Sequence, residues 1–158
     1  MRYPEIASEV VVMADEDQRM RRSGAFDPTI DRRNTKRMRE IVAEIGWLTR
    51  SKVGDPAEHA AWLLVQHADE DRSFQRACLD LISKESAAEV CPSHGAYLED
   101  RLRVAEGKPQ RYGTQFRDPG PAPIEDPEHL DERRGSVGLE PFAVYRERMA
   151  AIGKPKPG

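Results

Sequence analysis

Apolar residues recur at helical spacing through most of this chain and lose that spacing after residue 107. Ile6, Val10, Met13 and Ala14 form the stripe of a first helix, opened by Pro4 and stopped near Arg22 by Ser23-Gly24. Residues 25–33 read as a loop. Met38, Ile41, Val42 and Ile45 then give a second helix, capped by Asn34 or Thr35 and ended by Gly46. After a connection over 47–54, Asp55-Pro56 starts a third helix with Ala60, Ala61, Trp62, Leu63, Leu64, Val65 and Ala68. That helix is apolar nearly all round, which predicts a central, buried position.

The step Asp69-Glu70-Asp71 caps a fourth helix carrying Phe74, Cys78, Leu79 and Ile82, and Ser93 caps a fifth that ends at Gly107. Arg111 to Phe116 reads as a short strand, Asp118-Pro119-Gly120-Pro121 as a turn, and Ala122-Pro123-Ile124 as the returning strand. Asp126-Pro127 and Glu140-Pro141 start two further helices. The expected fold is mainly α, one helical bundle of about five to seven helices with a two-stranded ribbon near residues 110–125. Residues 1–153 read as one domain and 154–158 as a disordered tail.

Composition narrows the partners. The chain has 158 residues and a net charge of -3, from 28 acidic against 25 basic side chains. That balance is no footprint for nucleic acid, and the local run Arg32, Arg33, Lys36, Arg37, Arg39 is flanked by Asp31 and Glu40 as in a solvated helix face. No apolar stretch is long enough for a bilayer and no leader pattern opens the chain, so a soluble cytoplasmic protein is expected. Cys78 and Cys91 lack metal-ligand spacing; a reduced pair is the plain reading, with a disulfide left open. The sequence leaves the oligomeric state open.

The informative residues are polar groups on faces that ought to be buried, because burying them costs free energy unless they find partners. Asp17, Gln18 and Arg21 continue the stripe of the first helix, and Asp17 and Arg21 stand four apart. His59, Gln66 and His67 lie on one broad side of the third helix, and Asp69 follows. A histidine there is either an acid/base, a ligand, or a hydrogen-bonded core residue. Gln110, Tyr112, Thr114 and Phe116 share one face of the expected strand, with Gly113 and Gln115 on the other. Arg101, beside Asp100, suits either a bound anion or a neighbouring loop. Glycine-rich phosphate loop, nucleophile elbow and HExxH motif are all absent.

These motifs have a precedent. Asp17-Gln18 with Arg21, Gly46-Trp47, Gln66-His67-Ala68-Asp69, Tyr97-Leu98 with Asp100-Arg101, and Gln110 with Tyr112-Gly113-Thr114-Gln115 resemble a widespread bacterial family of unknown function. The resemblance spans roughly Ser8 to Tyr145. This chain has Leu48 where that family often has proline. The resemblance implies one intact domain and no particular reaction. Its signature is built from amide, imidazole and guanidinium groups, which is more typical of a site than of a core.

The leading expectation is a small-molecule enzyme or binding protein with a polar pocket. His67 is the acid/base candidate, with Asp17 or Asp69 orienting it and no cofactor or metal required. Gln18, Gln66, Gln110, Tyr112, Thr114 and Gln115 would read the ligand, and Arg21 and Arg101 would hold an anionic group. The alternative is a non-catalytic interaction module in which these residues form a structural hydrogen-bond network, acting through an acidic surface over 125–132. A metal site at His59, His67 and Asp69 is a weaker third reading.

Overall fold

The computed structural model of the chain describes residues 1–152; the tail expected over 154–158 lies outside the described residues. Eight α-helices and one two-stranded antiparallel sheet are present among the described residues. The chain divides into two compact units, Met1–His94 and Gly95 onward.

The first unit is helical throughout. Helix α1 covers Pro4–Arg22, α2 Pro28–Ile45, α3 Arg50–Val53, α4 Asp55–Gln66 and α5 Arg72–Ser83; α6, Pro92–Ala105, begins here. Helix α4 is the hub, packed against α1, α2, α3 and α5. Small residues make this possible: Ala57, Ala60 and Ala61 are buried and let neighbouring backbones come close, while Leu64 and Val65 fill the layer beyond. Val10 of α1 and Met38 and Ile41 of α2 are fully buried. Each such side chain contributes roughly 2 kcal/mol.

Two helix starts differ from the sequence expectation. Helix α2 begins at Pro28 rather than near Asn34, because Asp27 caps it, its side chain accepting from Thr29 N at 2.9 Å, and Pro28 fits the first turn. Asn34 is therefore inside the helix and buried. The connection after Gly46 contains the single turn α3, one reason the helix count exceeds the expected five to seven. Helix α5 is capped by Asp71, which accepts from Phe74 N at 3.1 Å.

The second unit holds the rest of α6, then α7 (Leu130–Ser136) after a 3-10 turn at Pro127–His129, and α8 (Phe142–Ile152). The ribbon is shorter and later than expected. Strands β1 (Phe116–Arg117) and β2 (Gly120–Pro121) pair Phe116 with Pro121 and Arg117 with Gly120. Residues 111–115 are not strand. They wrap around Asp100 of α6, which is fully buried and accepts from Arg111 N (2.7 Å), Tyr112 N (3.1 Å), Thr114 N (3.1 Å) and Thr114 Oγ1 (2.8 Å). Aiming successive N–H groups at one carboxylate bends the chain out of the extended form. Gly113 makes the bend possible: its φ is +67°, and a Cβ there would stand 2.9 Å from the Phe142 ring.

Replacing Asp71 with Ala should destabilise the protein by about 1 kcal/mol, the worth of an N-cap. The Arg39 hydrogen bond beside it draws the Asp71 carboxyl down to about 2. Its stabilising effect is thus complete above the ordinary carboxylate pKa of ~3.9. It is lost as pH falls toward about 2. Urea unfolding of both proteins at pH 7 and at strongly acid pH checks this: the gap between them should close in acid.

Candidate functional site

The end of α1 meets the end of α4 at a buried carboxylate. Asp17 is 0% exposed, and a carboxylate so placed needs donors on both oxygens. It has them: Gln18 Nε2 donates to Oδ2 at 3.0 Å, Arg21 Nε to Oδ1 at 3.2 Å, and His67 Nδ1 lies 2.8 Å from Oδ2. Burial by itself would push this carboxyl up, but His67, Gln18 and Arg21 together outweigh it and hold it below the usual carboxylate range. Arg21 is pinned in turn by Asp31 of α2, whose oxygens accept from Nη2 at 2.7 and 2.9 Å. Burial, aided by the charge of Asp17, raises the Asp31 carboxyl despite that pairing.

His67 is the residue at which α4 ends, with φ −88° and ψ 4°. Its Nδ1 stands near both Asp17 and Arg21 Nε, the latter at 3.0 Å. One nitrogen cannot serve both. An ionised carboxylate only accepts, so Nδ1 carries the proton and donates to Asp17, and Arg21 Nε turns its hydrogen to Asp17 Oδ1. In the neutral ring Nε2 then has a bare lone pair, and no described residue engages it. His67 lines a cavity of about 430 Å³ between one face of α2 and the turn 67–71.

The other expected site residues of this unit take different places. Asp69 also lines the cavity, but its carboxylate accepts from Gln75 Nε2 at 3.1 Å and pairs with Arg72 at 3.3 Å; Asp17, not Asp69, meets the imidazole. Gln66 is buried, and its Oε1 finds no partner among the described residues. Gln75, unremarked in the sequence, is fully buried and closes the end of α4, its amide reaching the carbonyls of Val65 (3.1 Å) and Gln66 (3.2 Å).

His59, His67 and Asp69 are not gathered into one group. No cluster of three or more His, Cys, Asp or Glu side chains suited to a metal ion occurs among the described residues. His59 belongs to a second cluster: its Nδ1 is 3.4 Å from His94 Nε2, His94 Nδ1 is 2.8 Å from the buried Glu58, and the His94 ring stacks on Trp62 at 4.3 Å. Cys78 and Cys91 are both free, and burial pushes the Cys78 thiol up to about 12, which leaves it inert as a nucleophile.

In the second unit the expected ligand readers are largely spent on the loop itself. Gln110 is fully buried; its amide donates to the carbonyls of Gln115 and Ala122, both at 2.9 Å, and its Oε1 accepts from Gln115 N at 2.8 Å. Thr114 is committed to Asp100, and Gln115 Nε2 donates to Thr114 Oγ1 at 3.0 Å. Tyr112 is half-buried, and burial raises its phenol. Arg101 is half-buried on α6. Arg134, overlooked in the sequence, is buried under Tyr145 and donates to the carbonyls of Glu140 (2.7 Å) and Tyr112 (2.6 Å). Tyr145 in turn donates to Thr114 O at 3.1 Å.

The class these features define is a mainly helical protein with a buried aspartate–histidine pair at the edge of a cavity. The chain belongs to the family of unknown function DUF6624, whose model matches residues 4–153. No curated protein and no solved structure matches it significantly. No helix among the described residues is long and apolar enough to cross a membrane.

The Asp17 carboxyl is lower in the folded chain than in the unfolded one, so it stabilises above ~3.9 and loses that effect as pH falls through its folded value. Asp17→Asn should therefore cost on the order of 3 kcal/mol at pH 7, because Arg21 loses a buried counter-charge and one of the two acceptor oxygens becomes a donor. In denaturant titrations the difference from wild type should shrink steadily below pH 4. A difference that is flat with pH would show that the carboxylate's charge is not what holds these helices.

Proposed function

We propose that this protein is a small-molecule enzyme or binding protein of the cytoplasm whose site is the cavity beside His67. The observation that carries the reading is the pairing of His67 Nδ1 with the fully buried Asp17 at 2.8 Å, at a cavity lined by the same ring. A buried carboxylate fixes an imidazole in one tautomer and steadies the imidazolium that forms when Nε2 takes a proton. That is the arrangement of a general base oriented from behind, and it needs no metal. Gln18 and Arg21 position Asp17, and Asp31 positions Arg21. The two free cysteines support a reducing compartment.

For Gln110 and Thr114 the structural-network reading is the better supported. Both are buried; the Gln110 amide is used on its own loop and the Thr114 hydroxyl on Asp100 of α6. We assign them to the scaffold of the second unit.

His67→Gln keeps a hydrogen-bonding group of similar reach and removes the base. The expected outcome is a variant melting within about 4 °C of wild type, a loss near 1 kcal/mol. Any ligand found by screening small carboxylates and amides should bind it at least tenfold more weakly, and any turnover should vanish. A variant that no longer unfolds cooperatively would make His67 part of the scaffold. Undiminished binding and turnover would move the site elsewhere.

A further inference from the structure

The cations along α2 say what kind of molecule the cavity takes. Arg32, Lys36 and Arg39 follow one another at helical spacing and line the same wall. The turn opposite supplies a carboxylate to each arginine: Glu70 accepts from Arg32 Nε at 2.7 Å and Asp71 from Arg39 Nε at 2.5 Å. Lys36, between them, is exposed at the cavity and has no ion pair or hydrogen bond with any described residue. Among the described residues, Arg21, Arg32 and Arg39 each have a carboxylate partner, and Lys36 has none.

Arg21 supplies a second uncommitted donor. Its Nε and Nη2 are held by Asp17 and Asp31, and Nη1 is engaged by no described residue. The guanidinium sits 5.5 Å from the centre of the Phe26 ring. Phe26 lines the cavity yet is 60% exposed, an apolar surface that a ligand's body would cover.

Charge and size narrow the class further. Asp31, Asp69, Glu70 and Asp71 also line the walls, so a multiply charged anion meets about as much repulsion as attraction. A volume of about 430 Å³ is toward the small end of ligand pockets and suits a body of about one ring.

We propose that the cavity takes a small organic monoanion, a carboxylate carried on an apolar or aryl body. Lys36 Nζ and Arg21 Nη1 hold the carboxylate, and Phe26 covers the body beside the His67 ring. This names the ligand class of the site proposed above and rests on that reading.

The test is a titration of the untagged, isotope-labelled full chain with four probes of one size: phenylacetate, phenylacetamide, phenethylamine and phenyl phosphate, followed by amide shifts. Phenylacetate should bind at least about fivefold more tightly than the other three and move the signals of Phe26, Lys36 and His67. Lys36→Met should bring phenylacetate down to the affinity of phenylacetamide. Equal binding of acid and amide at those signals would overturn the monoanion class while leaving the site standing, as would a preference for the amine or the phosphate. A preference that survives Lys36→Met would overturn the role of the lysine. If no probe moves the His67 signals, the ligand class and the site reading fall together.

Discussion

Asp17 puts a carboxylate where no water reaches it, and the first unit is arranged around that fact. Leaving such a charge unpaired costs several kcal/mol, more than a small domain can spare. The donors that prevent this come from two helices: Gln18 and Arg21 from α1, His67 from the end of α4. Arg21 carries the requirement on to α2 through Asp31. Three helices are thereby held in register at one point, and a shift of one residue along α1 would put Glu16 or Gln18 where Asp17 now stands. Apolar packing of Val10, Met38, Ile41 and Leu64 supplies most of the stabilisation but is tolerant of small slips. The carboxylate network is not tolerant, so it sets the alignment.

The second unit repeats the device with a different purpose. Asp100 is also fully buried, and its donors are three backbone N–H groups and one hydroxyl of the loop it organises. Gln110 closes the same loop from the other side, and Arg134 fastens it to the segment before α8 through the carbonyls of Tyr112 and Glu140. Most of these bonds join a side chain to the backbone. The result is a rigid loop built without a strand ladder.

Much of this was readable in the sequence, because helix caps and stripes are local. Pro4, Asp55-Pro56 and Asp71 marked helix starts close to where they occur, and the stripe of α4 announced its central place. The spacing of Asp17 and Arg21, and the position of His67 at a helix end, were local too. What escaped notice depends on distance along the chain or on competition between signals. Asp27-Pro28 carries the same start signal as Asp55-Pro56, but the stretch after it is so charged that it read as loop, and Asp31 read only as the flank of a basic run. The alternation of 110–116 imitates a strand; only the buried Asp100, contributed by another element, bends it away. Glu58 and His94 are 36 residues apart and single-sequence patterns hold no trace of their meeting.

Polar residues in a buried setting divide by whether their valences are used up. Gln110 and Thr114 have donors and acceptors matched inside their own unit, and a ligand would have to break those bonds before making its own. Exchange of one hydrogen bond for another gains little, which is why satisfied groups make scaffolds rather than sites. His67 is different in kind. One nitrogen is tied to a charge that cannot move, and the other has no partner among the described residues although the ring lines a cavity. Fixing one edge of an imidazole raises the cost of reorienting it, and so the free edge is held ready for an incoming proton or donor with little entropy left to lose. In the first unit the burial of Asp17 thus serves two ends at once: it aligns the helices, and it prepares an imidazole edge that no described residue occupies.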